Sequence, residues 1–162
     1  MEAVAISSSL PISLKQSVEI CNFIRGKTSD KGKRILEQVI EKKIAVPYKR
    51  YMHGVGHRPG KMASGRYPIN ASMHILSVLK SAESNAENKG MSSPFQICEA
   101  IANQASRSWR SGRHRRRKRK SAHIKIVLME IRAKVKPAEA AGEKKVQKEK
   151  QAEKQNKNRA EK

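Results

Sequence analysis

The sequence predicts an α+β chain, and three observations carry that reading. Apolar residues recur with helical spacing in three separate stretches between about residues 13 and 90. Phe95 to Ala102 and Ala122 to Lys134 alternate apolar and polar residues as strands do, and a further strand is expected within residues 3–12. Between the last two strands lies a segment so basic and so poor in apolar residues that no core can hold it.

The first element is a short apolar stretch broken by Ser7, Ser8 and Ser9. Ser13 and Gln16 then form an S-x-x-Q capping box, in which each side chain satisfies a free backbone N–H at a helix start. Leu14, Val18, Cys21 and Ile24 follow with the spacing of one helical face, and Gly26 closes the helix as a left-handed residue. Thr28, Ser29 and Asp30 can cap a second helix with the apolar stripe Ile35, Leu36, Val39 and Ile40. Lys42 and Lys43 sit at its C-terminus, where the helix dipole favours cations.

Pro47 to Tyr67 reads as a long loop. It places Gly54, Gly56, Gly60 and Gly65 among Lys49, Arg50, Arg58, Lys61 and Arg66, so that backbone can approach a ligand such as a phosphate chain closely. A third helix follows with Pro68 in its first turn; Ile69, Met73, Leu76, Leu79, Ala82 and Ala86 are expected on its buried face, and Gly90 ends it.

Phe95, Ile97 and Ile101 are expected on one side of their strand, and Ile124, Ile126 and Leu128 on one face of the next. The basic segment between them, around Ser111-Gly112, is read as the distal part of a long hairpin that must project, because nothing in it can pack on its own domain. Residues 1–136 would then form one domain with the hairpin at about residues 103–121. Pro137 to Lys162 alternates Lys, Glu, Gln and Ala with no aromatic residue, which suits a charged extension, either disordered or a solvated helix.

Charge narrows the function classes. The 162 residues carry 36 Lys and Arg against 14 Asp and Glu, a net charge of +22. Repulsion of that size opposes compaction until a polyanion neutralises it, and nucleic acid does so with favourable release of counterions. The bases are also segregated: no acid occurs from Lys43 to Ser81, nor from Ala100 to Met129. Two acid-free windows imply two surfaces that face phosphate. No apolar run approaches the ~20 residues that span a bilayer, and no secretory leader is expected from the first twelve residues. Cys21 and Cys98 are distant from one another, as ordinary thiols of a reducing compartment would be, and form neither a CxxC pair nor a disulfide framework.

The sharpest chemical signal is the arm of Arg107, Arg110, Arg113, His114, Arg115, Arg116, Arg117, Lys118, Arg119 and Lys120 with Trp109 inside it. Guanidinium groups bond phosphate bidentately and stack on bases, and an indole adds a stacking surface. A basic run alone also fits a nuclear-import signal or a disordered arm; flanking strands favour an ordered one. His53 and His57 have helical spacing but lie in a glycine-rich loop without a nearby acid, so no metal or other cofactor is expected. Gly54-Val55-Gly56 lacks the third glycine and preceding strand of a dinucleotide loop. No local acid–base pair suggests an enzyme with a small-molecule substrate. A DNA reader would concentrate its bases on one helix, whereas here they lie between strands.

Several stretches carry a resemblance: Ile24-Arg25-Gly26-Lys27, Val46-Pro47-Tyr48-Lys49-Arg50-Tyr51, Gly54-Val55-Gly56-His57, Gly65-Arg66-Tyr67-Pro68, the block Leu79 to Gly90, and His123 to Leu128. In this order, from about Ser13 to Glu130, they resemble the universal large-subunit ribosomal protein family numbered twenty-two in bacteria and seventeen in eukaryotes, in its archaeal and eukaryotic wording. The resemblance implies three helices on a three-stranded antiparallel sheet with a long projecting β-hairpin. It implies a cytoplasmic ribosomal protein, nucleolar during assembly in a eukaryote, that binds large-subunit ribosomal RNA and neighbouring ribosomal proteins and aids assembly. The hairpin tip would line the exit tunnel beside the nascent polypeptide; no membrane partner is implied. RNA contact would fall on Arg25 and Lys27, on Lys49, Arg50, His57, Arg58, Lys61 and Arg66 of the loop, on Lys80, Asn85 and Lys89 of helix three, and on Asn103 to Lys120. The segment Ser108 to Arg117 departs from the family's usual pattern, and the hairpin is several residues shorter near its tip than the usual eukaryotic one.

Overall fold

The computed structural model describes residues 1–60 and 62–131; Lys61 and the extension Pro137 to Lys162 lie outside the described residues. Strand β1 (Glu2–Leu10) is followed by helices α1 (Leu14–Ile24) and α2 (Ser29–Ile40). Two short strands, β2 (Val46–Pro47) and β3 (Gly65–Arg66), tie the ends of the glycine-rich loop, and α3 (Ile69–Asn88), β4 (Phe95–Gln104) and β5 (Ala122–Glu130) follow. The main sheet runs β1-β5-β4 with both outer strands antiparallel to β5, the α+β arrangement of three helices and three strands that was expected.

The central strand supplies the core. Ile124, Ile126 and Leu128 are fully buried, as their alternation predicts, and burial of each stabilises the fold by roughly 1.5–3 kcal/mol. Ala3 and Ala5 of β1 stand opposite Leu128 and Ile126, while Ile97 and Ala100 of β4 stand opposite the same two residues from the other side. Helix α3 packs on β1 and β5, and α1 on β4. Small residues at Ala3, Ala5, Ala82 and Ala86, all buried, allow α3 to approach β1 closely. The end of α1 is bonded to β4: Gly26, at φ +77°, donates its N–H to the Ile97 carbonyl at 2.8 Å, and Ile97 returns its own N–H to Lys27 at 2.9 Å.

Several expected faces shift. In α1 the buried residues are Ser17, Glu19, Ile20, Cys21 and Ile24, with Leu14 and Val18 only half-buried. The helix is covered on two sides, by the sheet and by the loop after β2, so a single stripe misdescribes it. The Ser13–Gln16 capping box does not form; Ser13 is the N-cap without a side-chain bond, and the Ser17 hydroxyl donates instead to the Ser13 carbonyl at 3.0 Å. In α3 the buried face is Ala71, Ser72, Ile75, Val78, Leu79, Ala82 and Ala86, while Met73 is 50% exposed. Apolar residues cover more than half the circumference of the first half of α3, so its spacing admits two solutions. Pro68 is the residue before α3 rather than its first-turn residue.

In β4 a bulge between Ile97 and Glu99 inserts one residue, so Phe95, Ile97 and Ala100 face inward and Ile101 is left half-buried. Lys42 lies beyond the last turn of α2 at φ +61°, and the N–H groups of Lys42 and Lys43 close that helix on the carbonyls of Val39 and Gln38.

Candidate nucleic-acid interface

The loop between β2 and β3 is organised by a buried acid. Val46 pairs with Arg66 and Pro47 with Gly65, Tyr48 donates its N–H to Ser64 at 2.9 Å, and His57 bridges Ser64. Glu19 of α1, 2% exposed, then accepts the backbone N–H groups of Lys49, Arg50 and Tyr51 at 3.2, 2.8 and 2.8 Å. Three N–H dipoles offset the cost of burying a carboxylate. The consequence is a clamp: the backbone of residues 49–51 is held inward while the Lys49 and Arg50 side chains stay exposed.

The basic arm behaves differently. The regular ladder ends where apolar alternation ends, at Gln104 opposite Ala122. Beyond it the chain is joined by sparse bonds: Ala105 N–H to Ser121 at 3.3 Å, Arg119 N–H to Ser108 at 2.8 Å and Arg110 N–H to Arg117 at 2.9 Å. A single turn of 3₁₀ helix at Gly112–His114 forms the end. Every residue from Ser106 to Lys120 is exposed, and none joins the core. Trp109 is 61% exposed opposite Lys118, whose ammonium lies 4.7 Å from the indole centroid.

These charges lack acidic partners. Among the described residues the ion pairs join Lys33 to Asp30 and Glu83, Lys43 to Glu41, and Lys125 to Glu99; none draws on the arm or on the loop. The two surfaces are neighbours. A cationic cleft of about 510 Å³ lies between Pro11 and arm residues Arg110, Ser111, His114, Arg119 and Lys120. Only two residues further along the chain, Ser13 lines a second cleft, of about 390 Å³, against the loop. In that cleft Tyr48, Tyr51, Tyr67 and Val55 supply apolar walls, Lys15 and Arg66 supply cations, His53 an imidazole and Gln16 an amide. Burial, then the charge of Glu19, pushes the Tyr48 hydroxyl up to about 12 against the opposing pull of Arg66.

Not all nominated residues join these surfaces. Arg25 donates from its guanidinium to the Ala100 carbonyl at 2.7 Å, and Lys27 packs its ammonium 4.2 Å from the Phe23 ring, where burial lowers its pKa. Asn85 and Lys89 donate to the Val4 and Glu2 carbonyls at 3.0 and 2.9 Å, binding α3 to the strand that ends the sheet. Lys80 is exposed on α3; His57 and Arg58 are exposed in the loop, with Arg58 5.4 Å from the Tyr67 ring. Arg66 is half-buried at the second cleft. Sequence reasoning missed Glu19, Lys15 and the tyrosines. The run Tyr48-Lys49-Arg50-Tyr51 was the available signal for the tyrosines, and Glu19, the sole acid of its helix, for the clamp. Among the described residues no cluster of His, Cys, Asp or Glu could hold a metal ion, and no helix is long and apolar enough to cross a membrane.

Comparison with known proteins bears directly on this geometry. The family Ribosomal protein L22p/L17e matches residues 5–129, which contain every element described from α1 to β4, the greater part of β1 and nearly all of β5. The chain belongs to the L22p/L17e family. A large ribosomal subunit protein uL22 of Methanococcoides burtonii is 37% identical over 136 residues, 80% of this chain and 90% of that protein. One of Methanosphaera stadtmanae is 42% identical over 136 residues, covering 79% and 88%. One of Archaeoglobus fulgidus is 46% identical over 91 residues, 55% of this chain and 59% of the length of that relative. These archaeal relatives place the chain on the archaeal side of the L22p/L17e family, whose members are structural ribosomal components and not enzymes.

Proposed function

We propose that this chain is a structural constituent of the large ribosomal subunit that binds ribosomal RNA through two surfaces, the loop and the arm, and aids assembly. The observation that carries the reading is the arm itself: nine Lys and Arg from Arg107 to Lys120, all exposed, none with an acidic partner among the described residues. Charge so placed is neutralised when the arm lies among phosphates, and Trp109 offers a ring to an unstacked base. RNA contacts fall on Lys49, Arg50, His57, Arg58 and Arg66 in the loop, on Lys80, and on the arm from Arg107 to Lys120. Lys61, outside the described residues, belongs to the same loop. Arg25, Asn85 and Lys89, all exposed, and the half-buried Lys27 are further proposed contacts, each also tied to the fold by the bonds described above.

The turn at Gly112–His114 is the far end of the arm, and in this reading it lines the exit tunnel beside the nascent polypeptide, with neighbouring ribosomal proteins around the domain. The protein would act in the cytoplasmic ribosome. Tagged chain should co-sediment with large subunits at moderate salt, and recovery only in a free pool would sink the proposal. Changing Arg115, Arg116 and Arg117 together to Ala should impair assembly and leave the thermal midpoint of the isolated chain nearly unchanged, because the arm packs on no core.

A further inference from the structure

The cleft between the start of α1 and the loop is unclaimed by the reading above, which used the loop only for its outward cations. Its composition is specific. Tyr51 and Tyr67, both half-buried, present aromatic rings, and cations attend them: the Lys15 ammonium lies 5.6 Å and the Arg50 guanidinium 5.5 Å from the Tyr51 centroid. Ser13 and Gln16 line the same cleft with a hydroxyl and an amide that have no hydrogen-bond partner among the described residues, because the capping box that would have joined them does not form. Tyr48, 8% exposed, contributes to the wall, and its hydroxyl is buried without a hydrogen-bond partner among the described residues.

Rings, an unspent amide and rim cations without a free carboxylate are a combination that discriminates among ligands. A basic peptide or a free amine would require an acid, and the nearby one, Glu19, is consumed by three backbone N–H groups. A purely apolar partner would leave Gln16 and Ser13 desolvated without compensation. An unstacked base satisfies all three features. Its face stacks on a tyrosine, its edge bonds the amide, and its flanking phosphates meet Lys15 and Arg66. The volume, about 390 Å³, lies within the range of small-ligand sites. We infer that this cleft receives one flipped-out nucleobase of the RNA, stacked on Tyr51 and read along its edge by Gln16. The inference rests on the RNA-binding reading and adds to it a site that works by stacking, not by charge.

The difference in mechanism supplies the test. Binding of full-length chain to transcribed large-subunit RNA would be titrated over a range of salt for Tyr51→Ala, Tyr51→Phe, Gln16→Ala and the triple Arg115, Arg116, Arg117→Ala variant. Tyr51→Ala should bind about ten- to a hundred-fold more weakly with an unchanged salt slope, since stacking releases no counterions. Tyr51→Phe should bind as the parent does, and Gln16→Ala should be several-fold weaker. The arm variant should lower the slope. Irradiation of assembled subunits should cross-link a nucleotide to the peptide holding Tyr51 or Tyr67. Parent-like binding by both Tyr51→Ala and Gln16→Ala, beside a weakened arm variant, would overturn the base site and leave the RNA-binding reading intact. A cleft cross-linked to a neighbouring protein would overturn it equally. Failure of the parent chain to bind the RNA would remove both.

Discussion

Glu19 concentrates the local physics of the loop. A carboxylate in the interior costs several kcal/mol unless it is hydrogen-bonded, and here three consecutive N–H groups of residues 49–51 turn toward it. Glu19→Ala would leave those donors buried and unmatched, so it should cost about 3 kcal/mol of stability by urea unfolding. Amide exchange at residues 49–51 should accelerate more than in the sheet; uniform acceleration would mean that the clamp is not local. Two other side chains set the alkaline limit. Burial pushes the Cys21 thiol up to about 12 from 9.0, with Arg25 opposing, and the Tyr48 hydroxyl rises to about 12 from 10.0. For both, the folded state holds its proton longer than the unfolded one. Their stabilising effect is therefore complete below about pH 9 and is lost as pH rises toward 12. Thermal midpoints measured from pH 8 to 11.5 should fall steadily above pH 9, and Cys21→Ala should flatten part of that fall. At this scale the sequence was least legible. Nothing local tells a buried Glu with three donors from a solvated one, because its donors come from a segment some thirty residues away.

At the scale of elements, each helix and main strand was legible, because apolar spacing is a local signal and Gly26 and Gly90 mark the ends of α1 and α3. The inward faces were less so. One extra residue in β4 reverses the alternation beyond Ile97, and pairing with β5 alone decides where that residue goes. In α3 the competing stripes are separated by what lies beneath, the small Ala3 and Ala5 of β1 and the buried Ile126 and Leu128 of β5. The two faces make opposite forecasts for neighbouring residues. Ile75→Ala should cost about 2–5 kcal/mol by leaving a cavity under α3, whereas Met73→Ala, at a half-exposed site, should stay within about 0.5 kcal/mol. Comparable losses at both positions in denaturant titrations would restore the stripe through Met73. The arm is the converse case. Its exposure was legible from composition, whereas its sparse bonding was not, because a β ladder needs no particular side chain to continue.

Over the whole molecule, charge is sorted rather than spread. The described ion pairs lie on α2, α3, β4 and β5 or just beyond the end of α2, while the loop and the arm hold cations with no acidic partner among the described residues. A net charge of +22 therefore acts in two opposed ways on one variable. In the free chain the cations repel one another, and salt screens that repulsion over a Debye length of about 10 Å at 0.1 M. In the complex the same cations have displaced counterions from RNA, and salt favours the return of those ions. Raising sodium chloride from about 50 to 200 mM should thus raise the thermal midpoint of the free chain while weakening its affinity for large-subunit RNA by roughly a thousand-fold or more. With about eight arm charges on phosphates, the slope of log affinity against log salt should lie near −6 to −7. Calorimetry of the free chain and filter binding of the complex, run in the same buffers, read the two effects separately. A free-chain midpoint that falls with salt would mean that internal ion pairs, and not unpaired cations, dominate the electrostatics of the fold. A shallow slope beside a rising midpoint would place the arm outside the RNA, and the remaining affinity would then rest on the loop.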